Sequence, residues 1–234
     1  MFRMRLTFIA LAAFLSMSSV NQTTAQDKPC ASLHQCAEVG DTKRLSELLR
    51  QTATIDVPND YGETPLFTAV RYDNRDATAL LISAGAKVNT RNKDGTTPLM
   101  MAVLGQDLPL ITQLVAVGAD VNASDDDGDT VLMHGAVFAV KQTIPILRFL
   151  VSRGANVNAA AKDGRTALML SVRSTVVDNV ECLLSLGANV NAKDNKRLTA
   201  FDHVNDIWET SPKDYARKIQ RQMRKVLIAA GASH

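Results

Sequence analysis

The chain has no surplus of charge, few cysteines and histidines, and no long apolar run, and each shortage closes off a class of function. Its 234 residues carry 26 Lys and Arg against 24 Asp and Glu, a formal net charge of +2. So even a balance argues against bulk nucleic-acid binding, which rests on a sustained positive surface. The four histidines, His34, His134, His203 and His234, are scattered, and no pair stands at a metal-ligand spacing such as H-E-x-x-H. No G-x-S-x-G elbow or phosphate loop is present, and glycines come singly at turns. On these grounds the chain reads as non-enzymatic, with no cofactor and no metal.

The apolar run that does exist lies at the N-terminus. Arg3 and Arg5 precede Leu6–Leu15, and a segment of small and polar residues then ends at Thr23-Thr24-Ala25. An apolar core of about 10 to 15 residues is well short of the roughly 20 that a spanning helix needs. Residues 1–25 therefore read as a cleaved secretory signal, and the expectation is a periplasmic or secreted protein with no stable membrane insertion after cleavage. Losing Arg3 and Arg5 brings the basic residues level with the acidic ones. Asp27-Lys28-Pro29 before Cys30 is unlike the small, apolar approach to a lipid-attachment site.

Of the three cysteines, Cys30 and Cys36 are six positions apart. In one continuous helix that spacing separates them by about 9 Å of rise, beyond disulfide reach. A bond requires Cys30 to lie off the helix, which Pro29 allows, and the sequence leaves both states open. Cys182, beside Leu183-Leu184, reads as a small packed residue.

What is abundant is repetition. From Gly95, a step of 33 residues reaches Gly62 in one direction and Gly128 in the other; 36 more reach Gly164, and a further 33 reach Arg197. Shortly before these points stand Ile55-Asp56, Val88-Asn89, Val121-Asn122, Val157-Asn158 and Val190-Asn191, and Gly-Ala recurs at 85, 118, 154, 187 and 231. A period near 33 built from a turn and two short helices marks a stacked solenoid. Leu99, Ala102 and Val103 form an inner-helix stripe, and Leu110, Ile111, Leu114 and Val115 an outer one. Ala69, Ala102, Gly135 and Ser171 are small, so that helices approach closely, and the Gly-Ala glycines end the outer helices. Thr-Pro starts the inner helices, Thr as cap and Pro in the first turn.

Thr64-Pro65-Leu66-Phe67 and Thr97-Pro98-Leu99-Met100, with looser copies at Thr130, Thr166 and Thr199, resemble the T-P-L-H opening of the ankyrin-repeat family over about residues 31 to 234. The resemblance implies an all-α fold: an ankyrin-repeat solenoid of about six helix-turn-helix units joined by β-hairpin-like turns. The units run about 31–58, 59–91, 92–124, 125–160, 161–193 and 194–234, forming one domain over 26–234. The family's motif histidine helps tie neighbouring units together. None of the five copies has it, and His34 occupies its place in the first unit, which lacks the turn. Arg197 replaces the turn glycine. In unit four, three extra residues near Lys141 lengthen the turn between helices, with Pro145 starting the outer helix.

The resemblance also implies where a partner lies, against the fingers between units and the adjoining inner helices. The matching positions include Tyr61, Arg71, Tyr72, Arg91, Met101, Asp126, Asp127, His134, Phe138 and Arg173, rich in the aromatic, Met and Arg types of binding hot spots. Asp125–Asp129 has carboxylates enough for calcium but lacks the spacing and closing Glu of an EF-hand loop. It reads as an acidic finger that complements a basic patch on a partner.

The last unit is longer, with 44 residues from Gly187 to Gly231. Ser211-Pro212 signals a helix start, and the helix collects Lys213, Arg217, Lys218, Arg221, Arg224 and Lys225 against an apolar side of Tyr215, Ile219, Met223, Val226 and Leu227. This concentration is a polar cap of the array or a dock for an anionic partner or lipid head groups. Taken together, the sequence predicts a monomeric, exported protein that binds another protein through its concave face. The competing readings are a periplasmic immunity or inhibitor protein against a toxin or envelope enzyme, and an accessory scaffold of an envelope complex.

Overall fold

Thr64, Thr97, Thr130, Thr166 and Thr199 begin their helices by one device: an extended backbone places each hydroxyl to accept from the N–H three residues on. The computed structural model describes residues 30–205 and 213–232, the first four of the latter as helical backbone only. The segment read as a secretory signal therefore lies outside the described residues, as do Ser211, Pro212 and His234. The described helices form six pairs: α1 Leu33–Val39 with α2 Thr42–Gln51; α3 Pro65–Arg71 with α4 Arg75–Ser83; α5 Pro98–Leu104 with α6 Leu108–Ala116; α7 Val131–Ala136 with α8 Thr143–Ser152; α9 Ala167–Arg173 with α10 Val177–Ser185; and α11 Ala200–His203 with α12 Lys213–Ala229.

Each inner helix packs on the inner helices of the units before and after it, from α1 through α11, and each packs on its own outer helix. One apolar cluster therefore runs the length of the array, from Cys36 and Leu45 through Leu66, Leu99, Leu132 and Leu168 to Met223 and Leu227. Burying each of these leucines contributes about 1.5 to 3 kcal/mol. The small residues Ala69, Ala102, Gly135 and Ser171 are all buried, as close approach of the inner helices requires.

Where the family motif has histidine, Phe67, Met100, Met133 and Met169 are fully buried. The thioethers of Met100 and Met133 accept from the Thr97 and Thr130 N–H at 3.4 Å, closing the helix start as a capping box. His34 stands one place earlier than that motif position when counted from the cap, two residues after Ser32 where Phe67 stands three after Thr64. Its Nε2 still reaches the next unit, donating to the Glu63 carbonyl at 2.9 Å.

Two hydrogen-bonded rails join the units. On the side of the outer-helix ends, Asn89, Asn122 and Asn158 each donate Nδ2 to the carbonyl of the next unit's Gly-Ala glycine and accept from an N–H two residues later. Asn191 reaches the Gly231 carbonyl across a separation of 40 residues, so the longer last unit closes in the same way. On the opposite side the turns stack as fingers. Lys93 N–H donates to Tyr61 O, Asp126 to Asp94, Lys162 to Asp127 and Asn195 to Asp163, all at 3.0 to 3.1 Å. This contact needs glycine: a Cβ on Gly62, Gly128 or Gly164 would lie 2.6 to 2.9 Å from the next finger's amide nitrogen. Arg197 keeps the left-handed conformation, φ 65°, in the one finger that no described finger follows.

Two sequence readings sharpen here. The disulfide left open is formed: Cys30 lies ahead of α1 and is bonded to Cys36, with Cα atoms 5.2 Å apart, closing the start of the first unit. Pro145 is the third residue of α8, which starts at Thr143, where a proline is tolerated because its N–H would have no helical partner. Thr143 is buried and donates to Gln106 Oε1 at 2.9 Å, anchoring the lengthened turn to unit three.

Candidate functional site

The fingers are shaped by side chains that accept from their own backbone. Asn59, Asn92, Asp125 and Asp194 each take two N–H groups, from residues two and four positions on, onto Oδ1. Ala161 fills that place in unit five, and Asp163 instead accepts from the Arg165 N–H. Because the finger ladder fixes one register throughout, equivalent residues fall in columns. One column reads Asp60, Lys93, Asp126, Lys162, Asn195; the next reads Tyr61, Asp94, Asp127, Asp163, Lys196, and all ten residues are exposed. Three carboxylates on consecutive fingers thus stand in a row, with a tyrosine 69% exposed at one end and a lysine at the other.

Several predicted contact residues are engaged within the protein. Arg91 pairs with Asp126 at 2.9 Å and also donates to the Ser124 carbonyl, while Lys162 Nζ donates to the Asp126 carbonyl. The acidic finger is therefore bracketed by cations, and Asp126 is partly compensated where Asp127 is not. Arg71 pairs with the buried Glu63 and lies over the Phe67 ring, 5.7 Å from its centroid. Burial, and then the Glu38 carboxylate that it hydrogen-bonds, pushes the Tyr72 phenol above its ordinary value. His134 Nε2 donates to Asp125 Oδ2 at 3.0 Å, and His203 makes the equivalent bond to Asp194. Met101 and Phe138 are half-buried, Met101 against the core. Tyr61, Asp127 and Arg173 are exposed, and their side chains have no hydrogen-bond or ionic partner among the described residues.

Electrostatics distinguish the carboxyls between fingers four and five. Although burial pushes the Asp125 carboxyl up, the His134 ring and the N–H groups of Asp129 and Asp127 hold it below its usual range. Asp129 is raised, chiefly by burial and then by Asp125 and Asp163, against the opposing pull of His134 and Arg165. Its Oδ1 is buried with no partner. Asp125 is thus spent on turn and histidine rather than held open for a cation, and among the described residues no three of His, Cys, Asp and Glu converge as a metal would need. None of the described helices is long and apolar enough to cross a membrane.

Asp94 and Asp163 stand at the Asp-Gly position that Asp127 holds in the repeat, and the structure adds that the finger ladder stacks the three in one exposed column.

The family model that matches the chain is that of ankyrin repeats (three copies), over residues 33–125 and 99–194. Among solved structures, the chain is similar to an ankyrin repeat domain from Acinetobacter baumannii AYE at 29% identity and a TM-score of 0.73, over 86% of this chain and 98% of that one. No curated protein matches the sequence.

Proposed function

The chain belongs to the ankyrin-repeat family, whose fold is a scaffold for protein–protein interaction, and from that premise we propose that it is an exported, non-enzymatic protein that grips one protein partner along its fingers and adjoining inner helices, units two to five. The observation that carries this reading is the exposed row Asp94, Asp127 and Asp163, held in line by one backbone bond per finger. A partner with a cationic strip matches the row, and an apolar or cationic contact at its end matches Tyr61. The formed Cys30–Cys36 bond supports export, since such bonds persist in oxidising compartments. A sharper form of the same reading is inhibition: the acidic row covers the basic rim of a toxin or envelope enzyme.

The test is capture from the envelope fraction of the source cell with the chain from Gln26 onward, beside an Asp94→Asn, Asp127→Asn, Asp163→Asn variant. The expected result is a partner held by the first, lost by the second, and released as salt rises from roughly 0.1 to 1 M, where the screening length falls from about 10 to 3 Å. Tyr61→Ala weakens the same complex by on the order of tenfold or more. Equal capture by the parent and the triple variant would sink the finger-row reading.

A further inference from the structure

The last unit carries a second surface that the finger row does not use. On α12 every charged side chain described is a cation: Arg217, Lys218, Arg221, Arg224 and Lys225, all exposed. At about 100° per residue the five fall within a sector of roughly 120°. Met223, Leu227 and Gln220 are buried on the opposite side against the array, so α12 is pinned with its basic face outward. Arg224 donates to Asn205 Oδ1 at 2.6 Å, a neutral acceptor that leaves its charge uncompensated. Among the described residues, Lys218, Arg221 and Lys225 pair with no carboxylate. Asp194 is buried against His203, and Asp202 closes the cap of α11 with Thr199. In the middle of the same sector, one turn beyond Arg224, stands Ile228, 50% exposed.

We propose that this face docks on an anionic lipid surface. Three features select a bilayer over a folded acidic partner. The face offers an open depression rather than an enclosed pocket, bordered by Arg217, Lys218, Arg221, Gln222 and Lys225. A specific protein contact requires shape complementarity, whereas mobile headgroups gather beneath fixed cations. An exposed isoleucine among cations suits the headgroup boundary, where charge is met by phosphate and the apolar side chain leaves water. Finally, the apolar side of α12 is occupied by the core, so attachment is peripheral, electrostatic and reversible.

The experiment uses the chain from Gln26 onward, which holds the whole described array and leaves out the N-terminal apolar run. It is mixed with phosphatidylcholine vesicles with and without phosphatidylglycerol, and bound protein is measured by flotation. Binding is expected only to phosphatidylglycerol vesicles, and it falls with added salt. Lys218→Gln, Arg221→Gln, Lys225→Gln together weaken it by on the order of a hundredfold, with an unchanged circular dichroism melt. Ile228→Ser weakens it further at constant charge, whereas Asp127→Asn leaves it unaltered. Absence of binding to phosphatidylglycerol vesicles, or full binding by the triple variant, overturns the proposal. Retention on heparin or an acidic protein without any on vesicles overturns the lipid assignment in favour of another polyanion.

Discussion

The side-chain amide of Asn179, on the outer helix of unit five, donates to the carbonyls of both Ala136 and Phe138 at 2.8 Å, closing off the C-terminal end of the shortened inner helix of unit four. Asn179 is 1% exposed, so water cannot replace it. Asn179→Ala leaves two carbonyls short of a donor and lowers stability by about 1 to 3 kcal/mol, read as a fall in the denaturant midpoint. Asn179→Asp, which keeps the shape and removes the donors, is expected to do at least as much damage.

Gly95 and Gly118 are both left-handed, at φ 76° and 93°, but a Cβ on the first would lie 2.7 Å from the Asp126 N–H nitrogen, while the second has nothing within 4 Å. Gly118→Ala is expected to cost only the backbone conformation, about 1 to 2 kcal/mol. Gly95→Ala costs that and also pushes fingers three and four apart, so its loss in thermal midpoint is the larger. Hydrogen exchange at the Asp126 amide rises in the Gly95 variant alone. Equal losses would mean that the finger bonds contribute little.

The Cys30–Cys36 bond closes the first unit, which is tied to unit two by the His34 bond to Glu63 and by the Asn74 amide on the Ala37 and Glu38 carbonyls. Reduction, or Cys30→Ala with Cys36→Ala, removes about 2 kcal/mol. The effect is local: amide exchange in α1 and α2 accelerates, while α5 to α10 keep their protection, because stacked units depend on nearest neighbours. Uniform acceleration along the array would contradict this.

Asp129 gives the array a pH dependence of defined sign. Its folded carboxyl is raised, chiefly by burial, so the ionised form destabilises the fold, and this penalty is relieved as pH falls through the raised value. Asp129→Asn therefore raises the denaturant midpoint at neutral pH, and its advantage over the parent shrinks on acidification. Asp125, held low despite its burial by the His134 ring and two N–H groups, behaves oppositely. Its stabilisation is present above the unfolded value and is lost only in strong acid, as pH falls through the depressed folded value. An Asp129→Asn advantage independent of pH would point to packing instead.

The repeat, the helix starts and the outer-helix ends were legible because each is a local event. Thr64 caps Phe67 and Gly118 turns the chain through interactions within a few residues, so sequence alone carries them. The pairs that shape the candidate site are not local. Arg91 finds Asp126 at a separation of 35 residues, and Tyr72 finds Glu38 one unit back. Such contacts depend on how far one unit is rotated against the next, which no single unit's residues encode. The alignment of Asp94, Asp127 and Asp163 was legible from the repeat period, but that the three side chains stand exposed on directly bonded neighbouring fingers follows only from the stack.

Arg197 acts as a terminator. In the fingers before it, the turn glycine leaves a gap that the next finger's amide fills, and a Cβ there would meet that nitrogen at 2.6 to 2.9 Å. Arg197 holds the same left-handed backbone but carries the Cβ and a long cationic chain, so a further finger in the same register collides with it. The stack thus has a built-in last place: Arg197 bears the cost of a left-handed side chain, about 1 to 2 kcal/mol, in the one described finger that has no described neighbour to admit, and a finger added beyond it in the same register would need glycine there.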